Sequence, residues 1–255
     1  MQLGFFISGT AGQMMQNKLD VISHQIANSN TVGYMEDRAA FSSFFSNKMG
    51  RQGAPEQTST AYITTNRQYV NTHEGNIHHT GNNIDFAIRG DAYFRVQMPD
   101  GNEGLTRAGN FKLNSEGQLV TAGNLPVLDQ NGAPITLPPG KPNVTANGDI
   151  YVDSNPNDDQ PGDLVASFGM AMVNDPRQLR KVAGTIVTTK PENIKPADES
   201  VSLIQGALED SNVNSVMEMA NLVNTMREYQ SMMKVVEQYN QQAGLLSTKV
   251  GLVQG

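Results

Sequence analysis

The histidines of this sequence are its first candidates for metal chemistry, because three of the four lie close together. His73, His78 and His79 are accompanied there by Glu74. Zinc is bound by histidine nitrogens and carboxylate oxygens. Because no second ligand pair stands at helical spacing elsewhere in the sequence, a polar loop is the preferred interpretation. A hydrolase that works through this region is kept as an alternative.

Two sets of carboxylates could also carry chemistry. The segment "DSNPNDDQPGDL" begins at Asp153 like a calcium-binding loop, but it has Asp158 where glycine is required and Leu164 where glutamate is required. Asp85 and Asp91 stand at the two ends of a predicted strand, where acids are more often turn residues than a catalytic pair. The sequence therefore predicts no catalytic, cofactor-binding or metal-ligating residue and no cofactor, and the protein is predicted not to be an enzyme.

The composition excludes several further classes of function. The chain has 255 residues, a formal charge of −7 and no cysteine, so disulfides and thiolate chemistry are excluded. Without a basic patch, nucleic acid is not an expected partner. No apolar run approaches the ~18 residues of a membrane span, so direct membrane insertion is not expected. The first lysine, Lys18, follows the apolar start, which disfavours a cleaved signal peptide.

The N-terminal segment has the pattern of an amphipathic helix with a firm stop. Its apolar residues follow a 3-4 spacing: Gly12, Met15, Leu19, Ile22 and Ile26. In "NSNTVG" the asparagine and serine side chains compete with helical hydrogen bonds. Gly33 can take the positive φ of a helix end, and Tyr34 leads the chain away. The run "NSNTVG" is therefore predicted to end the helix.

The C-terminal segment repeats this spacing over a greater length. Its stripe consists of Met219, Leu222, Met226, Tyr229, Met233, Val236, Asn240, Ala243 and Val250. Ser215 and Glu218 have the spacing of a capping box, which predicts Ser215 as the N-cap. A helix from there to Val250 would be ~54 Å long. A helix this long, with only a short N-terminal partner in its own chain, predicts an intermolecular role for the methionine-rich stripe.

The middle of the chain has the signature of an antiparallel β-domain. Turn dipeptides recur at a nearly constant interval: Asp100-Gly101, Glu116-Gly117, Asn131-Gly132 and Asn147-Gly148. Short β-rich runs separate them, and they place the β-domain at residues 83–190. The predicted fold is α+β. Residues 1–35 and 208–255 form a helical coiled-coil domain, with connectors at 36–82 (extended) and 191–207.

Several motifs, in the same order along the chain, resemble those of the bacterial flagellar basal-body rod and hook family, the axial proteins. "LDVISHQIANSNTVGY" carries the first motif at Leu19, Ser23, Ile26, Ala27, Asn28, Asn30, Thr31, Gly33 and Tyr34. "DFAIRGDAYF" carries the second at Asp85, Ala87, Ile88, Gly90, Tyr93 and Phe94. "LTRAGNF" is similar to the third, and "LEDSNVNSVMEMANLV" matches the last through Ser211, Asn212, Val213 and Asn214. Val32 and Ala92 depart from a frequent proline and a second glycine.

The resemblance implies a structural subunit of the flagellar rod, a hollow drive shaft that transmits torque and crosses the cell envelope in the basal body. It implies that the terminal helices form an inner coiled-coil layer with the β-domain outside, and that these helices are largely disordered before assembly. The implied partners are copies of the chain, other rod and hook-basal-body proteins and the flagellar export apparatus, which needs no cleaved signal peptide.

The particular member of the family is a finer prediction. "MMKVVEQYNQ" and "RQLRKV" are similar to the proximal-rod member. A distal-rod or hook-basal-body protein is the first alternative. A soluble β-domain that binds glycan or peptide is the alternative from a different class.

Overall fold

The two ends of the chain form long helices, and the residues between them form β-sheets. The structure, a computed structural model, describes residues 2–46, 60–153, 162–198 and 200–251. The predicted α+β class is confirmed. The chain divides into a helical unit, Met1–Ala27 with Arg38–Gln68 and Asn214–Gly255, and a β unit, Asn28–Asp37 with Tyr69–Val213.

The helical unit is built on α1 (Gln2–Ala27) and α2 (Ser215–Gly251), which pack against each other. It also includes most of the two-stranded sheet of β1 (Asp37–Ser46) and β2 (Thr60–Val70). On α1 the buried side chains include those of Ala11, Ile22 and Gln25. Neither helix is long and apolar enough, over its described residues, to cross a membrane.

The prediction that Ser215 caps α2 is wrong by one residue. Asn214 Oδ1 accepts a hydrogen bond from the Met217 N–H at 3.1 Å, which is the N-cap to N3 contact. Ser215 is already the first helical residue. The Glu218 carboxylate accepts from Asn221 Nδ2 at 3.1 Å. The cap lies earlier because an N-cap residue must precede the helix that it caps.

The described strands of the β unit are short and pair in antiparallel fashion. They are β3 (Ile77–His79), β4 (Phe86–Arg89), β5 (Ala92–Gln97), β6 (Glu103–Thr106), β7 (Lys112–Leu113), β8 (Leu119–Val120), β9 (Lys141–Val144), β10 (Asp149–Asp153), β11 (Asp163–Ser167), β12 (Met170–Val173), β13 (Arg180–Ala183), β14 (Ile186–Thr188), β15 (Ile194–Pro196), β16 (Ser202–Gln205) and β17 (Ala207–Glu209). The largest sheet has the order β13-β14-β6-β5-β12-β15, and a second has the order β11-β10-β9. β16 pairs with β4, β17 with β3 and β7 with β8.

The predicted turn glycines are confirmed. Gly101, Gly117, Gly132 and Gly148 all have φ between 76° and 91°, the region that two-residue hairpin turns require and that glycine adopts most readily. The strands that these turns help to connect enclose a cluster of four buried phenylalanines: Phe86, Phe94, Phe111 and Phe168. The rings of Phe86 and Phe168 lie 4.9 Å apart, edge to face. The β unit thus has an apolar core of its own.

The segments predicted as connectors contain strands. Residues 191–207 include β15 and β16, and 36–82 include β1, β2 and β3. β15 extends the largest sheet at β12, and β16 pairs with β4. The strands therefore continue past residue 190, because Leu203 of β16 belongs to the same core as Phe94. The limits of the domains stay a prediction.

Candidate functional site

The first motif runs across the end of α1, and local hydrogen bonds fold the part beyond Ala27 into a tight turn. Beyond Ala27, the Thr31 N–H donates to the Asn28 carbonyl at 3.1 Å and the Tyr34 N–H donates to the Thr31 carbonyl at 3.2 Å. The Thr31 hydroxyl reaches Asn28 Oδ1 at 3.2 Å. The turn satisfies backbone groups that the helix leaves unpaired. The predicted helix stop is confirmed.

Gly33 is required at this turn for two independent reasons. Its φ of +65° is confirmed as positive, a conformation that costs an L-residue with a side chain roughly 1–2 kcal/mol. A Cβ atom at this position would also lie 2.2 Å from the Ala108 backbone nitrogen. The Gly33 N–H meanwhile donates to the Glu209 carbonyl at 2.8 Å. The first motif is therefore in close backbone contact with the segments that carry the third and the last motifs.

Asn212, in the last motif, joins three separate segments through one side chain. Its Oδ1 accepts from the Glu36 N–H at 2.7 Å. Its Nδ2 donates to the carbonyls of Asn71 at 2.9 Å and His73 at 2.8 Å. Its own backbone N–H donates to the Tyr34 carbonyl at 3.2 Å. An asparagine amide that uses its acceptor and both donors in this way specifies one arrangement of the three segments.

A buried ion pair lies beside this amide. Arg107 Nη1 is 3.3 Å from Glu209 Oε2, and both side chains are almost fully buried. Glu209 Oε1 accepts from the Gly75 N–H at 2.9 Å, and the Arg107 guanidinium lies 4.8 Å from the centre of the Tyr93 ring. Burial raises the pKa of the Glu209 carboxyl, although Arg107 opposes that shift. The pair offers specific orientation rather than a large gain in stability, because both charges must lose their water.

A second charged group, the Lys181 ammonium, contacts Tyr34. Lys181 Nζ lies 3.8 Å from the centre of the Tyr34 ring. The same ammonium donates to the Met35 carbonyl at 2.7 Å and to Asp37 Oδ2 at 2.8 Å. Burial, with a smaller effect of Asp37, raises the pKa of Tyr34 to about 12. Burial lowers the pKa of Lys181, and the Asp37 carboxylate opposes that change.

These contacts define the motif junction, the set of residues 28–37, 71–75, 107–108, 181 and 207–213. Sequence reasoning placed Asn28, Thr31, Gly33, Tyr34 and Asn212 among its candidates, and the structure brings them together here. It missed Arg107, Lys181 and Glu209. Arg107 and Glu209 stand inside the quoted runs "LTRAGNF" and "LEDSNVN", and the opposite charges of these two runs were the available signal.

The residues of the second motif support the core and the neighbouring turns. Ile88 and Phe94 are buried in the apolar core. Asp85 accepts from the Thr80 hydroxyl at 2.7 Å and from Asn82 Nδ2 at 3.1 Å. Gly90 has a φ of +106°. Ala92 is fully buried and is not among the positive-φ residues, so the departure from glycine is accommodated there.

The remaining predicted residues near the helix ends are more exposed. Ser23 Oγ donates to the Leu19 carbonyl at 2.8 Å, one turn back in α1. Asn30 is exposed, while Leu19 and Ile26 are half-buried and Ala27 is exposed. Ser211 and Val213 lie in the β unit, where the Val213 N–H donates to the Ser211 hydroxyl at 3.3 Å.

The histidine region is dispersed among other contacts. His78 Nδ1 lies 2.9 Å from Asp210 Oδ1, on the surface. Glu74 Oε1 accepts from the Gly90 N–H, and the His73 carbonyl is bonded to Asn212. Among the residues that the structure describes, no three His, Asp or Glu side chains are grouped to hold a metal ion. Most of the segment that follows Asp153 lies outside the described residues.

In the helical unit, α2 exposes an apolar stripe and buries polar side chains. The exposed α2 stripe consists of Val216, Met219, Val223, Met226 and Met233, whose side chains range from 77% exposed at Val216 to 44% at Met233. On the face that is covered, Thr225 is only 1% exposed and Glu218 only 9%. The other predicted stripe residues, Leu222, Tyr229 and Val236, are half-buried. The predicted single stripe is therefore divided between two faces of α2.

The chain thus combines two long helices, α1 and α2, with an antiparallel β unit whose residues lie between them in the sequence. It presents the exposed α2 stripe as an apolar helical surface. Residues 87–155 match the family described as "Flagellar hook protein FlgE/F/G D1 domain", and residues 204–248 match "Flagellar basal body rod FlgEFG protein C-terminal".

Similar proteins cover almost the whole chain. A flagellar basal-body rod protein FlgF of Rhizobium meliloti (strain 1021) is 31% identical over 231 residues, 90% of each chain. The FlgF protein of Mesorhizobium japonicum is 31% identical over 93% of each. A FlgG protein of Buchnera aphidicola (subsp. Schizaphis graminum) is 28% identical over 95% of this chain and 97% of its own.

The chain belongs to the flagellar basal-body rod protein family. The family predicted from the motifs is confirmed. As a member of it, the chain is a structural protein of the flagellar basal-body rod rather than an enzyme, and it assembles with other rod and hook proteins.

Proposed function

We propose that this chain is a subunit of the proximal part of the rod, where it assembles helically with copies of itself and with neighbouring rod proteins. The assembled helices form a hollow shaft that transmits torque and lets exported subunits pass, and the chain reaches it through the flagellar export apparatus. The similarity to two FlgF proteins over most of their length supports the proximal position.

The exposed α2 stripe is the observation that carries this proposal. Val216 and Val223 are seven residues apart, as are Met219, Met226 and Met233, and the two sets interleave in the 3-4 pattern of a helix–helix seam. Full burial of such a side chain contributes about 1.5–3 kcal/mol. Because Met219, Val223, Met226 and Met233 are about half covered already, each of them contributes roughly 1 kcal/mol on contact with a neighbour, and the more exposed Val216 contributes more. Because heptad seams pack against other helices, we expect a helix of a neighbouring subunit to cover this stripe.

The motif junction supports the part of the proposal that concerns torque. The segment that follows α1 and the segment that precedes α2 are both fixed in the β unit, by Gly33 at the Glu209 carbonyl and by Asn212 at Glu36 and Tyr34. These hydrogen bonds and backbone contacts therefore resist rotation of either segment within the β unit.

Two matched substitutions on α2 test the proposal. Val223 on the stripe and Val235 off it are exposed to similar extents, 48% and 42%. Val223→Lys places a charge in the proposed seam, whereas Val235→Lys places one on a different face of the same helix. We expect Val223→Lys to abolish rods in isolated basal bodies and Val235→Lys to leave them present, with both variants folded and produced at normal levels. Normal rods in the Val223→Lys strain would contradict the proposal.

The glycan- or peptide-binding alternative rests on a groove in the β unit. The groove has a volume of about 450 Å³ and is lined by residues that include Val32, Leu125, Val182 and Ile186. None of its described lining residues is aromatic or charged, and its polar ones are Thr31, Asn110, Thr121 and Thr185. Ligand sites are normally lined by apolar and aromatic side chains with a few polar groups among them. Binding of cell-wall glycan by the full chain, lost on Val182→Asp, would favour this alternative.

A further inference from the structure

The sulfur atoms of this chain are distributed unevenly over its surface. The sequence has 13 methionines and no cysteine, so methionine is its only oxidisable sulfur. Among the described side chains, the methionines that are largely exposed are Met217, at 61%, and the three of the exposed α2 stripe. Met35, in the β unit, is only 3% exposed. Among the methionines whose side chains the structure describes, the largely exposed ones therefore lie on α2.

Three of these four methionines form a single file. Met219, Met226 and Met233 are separated by seven residues each, which is close to two helical turns, so their side chains project from one face. Met217 is two residues from Met219 and projects about 200° around the helix from it. It therefore provides an exposed methionine that lies off the stripe.

The chemistry available at such a site is transfer of one oxygen atom to sulfur. A peroxide attacked by the thioether breaks its O–O bond, one oxygen forms the S=O bond, and the other leaves as water. The sulfur loses two electrons and the peroxide gains them. The product, methionine sulfoxide, is a polar side chain, and reductases convert it back to methionine. The reaction needs no catalytic residue, only an accessible sulfur.

We propose that Met219, Met226 and Met233 are a peroxide-oxidation site that controls whether the unassembled subunit can be incorporated, an inference that rests on the proposed role of the stripe. Oxidation makes three of the five stripe positions polar, while Val216 and Val223 cannot react. A neighbouring helix that covers the stripe must then bury sulfoxide oxygens without partners, which is unfavourable. Once the stripe is covered, the same sulfurs are shielded from the oxidant.

The first experiment measures where the oxidant reacts. The purified full chain is treated with dilute hydrogen peroxide, and the oxidised methionines are quantified over time by peptide mass spectrometry. We expect Met217, Met219, Met226 and Met233 to be oxidised several-fold faster than Met35. Oxidation of Met35 at the same rate as the stripe methionines would overturn the proposal, because the site would then have no selectivity.

The second experiment measures whether rods still assemble when the stripe is polar. Glutamine has the size and polarity of the sulfoxide and a helix propensity close to that of methionine. We expect Met219→Gln/Met226→Gln/Met233→Gln to lose rods in isolated basal bodies, and the corresponding triple leucine variant and Met217→Gln to keep them. Rods at the normal level in the triple glutamine variant would overturn the proposal. Loss of rods in the triple leucine variant would also overturn it, because sulfur polarity would not be the cause.

The outcome at Val223 separates this inference from the proposed function. If Val223→Lys abolishes rods while the triple glutamine variant keeps them, the stripe is a contact surface that tolerates polarity, and the oxidation proposal alone fails. If both variants keep their rods, the proposed role of the stripe fails as well.

Discussion

At the scale of single residues, the motif junction explains why a glycine stands at position 33. The helix stop could be predicted from sequence because it is local: the polar run and the glycine are neighbours in the chain. The contact with Ala108 could not be predicted, because it depends on how a distant β segment folds back. The same reason hid the Arg107–Glu209 pair, whose members are 102 residues apart.

We therefore expect Gly33→Ala to lower the free energy of unfolding by more than the positive φ alone would. The positive φ contributes roughly 1–2 kcal/mol, and the clash of the new Cβ with Ala108 at 2.2 Å adds to it. Gly81 is a matched control, because it has a similar φ of +74° and no atom within 4 Å of a new Cβ. Urea unfolding of both variants measures the difference. An equal loss of stability in Gly33→Ala and Gly81→Ala would show that the close approach does not matter.

Tyr34 makes the stability of the β unit depend on alkaline pH. Its pKa is raised from 10.0 to about 12, so the folded protein holds the phenolic proton more tightly than the unfolded chain does. The contribution of this group is complete below the unfolded pKa and is lost as the pH rises toward the folded pKa. We expect the folded protein to lose stability between about pH 10 and about pH 12, and Tyr34→Phe to lose less over the same range.

The comparison of the wild type with Tyr34→Phe isolates the contribution of the Tyr34 hydroxyl. Tyr93, whose pKa is also raised by burial, and Lys181, whose pKa is lowered by burial, titrate in both proteins. Their direct contributions largely cancel when the unfolding free energies of the wild type and Tyr34→Phe are subtracted at each pH. A difference that stays constant with pH would contradict the assignment.

At the scale of elements, the existence of both helices and of the hairpin turns was predictable, while the faces of the helices were not. The 3-4 spacing of the C-terminal stripe predicts one surface, because such spacing covers a broad arc of a helix. In the structure, Leu222, Tyr229 and Val236 lie on the half-covered side and Met219, Met226 and Met233 on the open side. Spacing alone cannot say which part of the arc a single partner helix covers.

The first turn of α2 offers a prediction that distinguishes the observed cap from the one inferred from sequence. Loss of an N-cap side chain costs about 1 kcal/mol. Because Asn214 bonds the Met217 N–H, Asn214→Ala should lower the thermal stability of the helical circular dichroism signal, measured at a protein concentration at which that signal is present. Ser215→Ala should leave it nearly unchanged, since alanine suits the first helical position. The reverse result would restore Ser215 as the cap.

At the scale of the whole molecule, the two units differ in how complete they are. The β unit has its own apolar core around Phe86, Phe94, Phe111 and Phe168 and is tied together at the motif junction. The helical unit covers Glu218 and Thr225 and leaves an apolar stripe outside. Covered polar side chains gain little from the hydrophobic effect, and the exposed α2 stripe gains from it only against a neighbour, so we expect the helical unit to be the part of the molecule that depends on neighbours.

The full chain in dilute solution should therefore lose its helical structure before its β structure. A long helix without a well-packed apolar face is marginal in water, because most helical stability in proteins comes from packing. We expect brief proteolysis of dilute protein to remove the segments of α1 and α2 while residues of the β unit stay intact, and the helical signal to increase as the concentration is raised. Chain ends that resist protease at the lowest concentration, with a helical signal independent of concentration, would mean that α1 and α2 stabilise each other without a neighbour, and the exposed α2 stripe would then need another explanation.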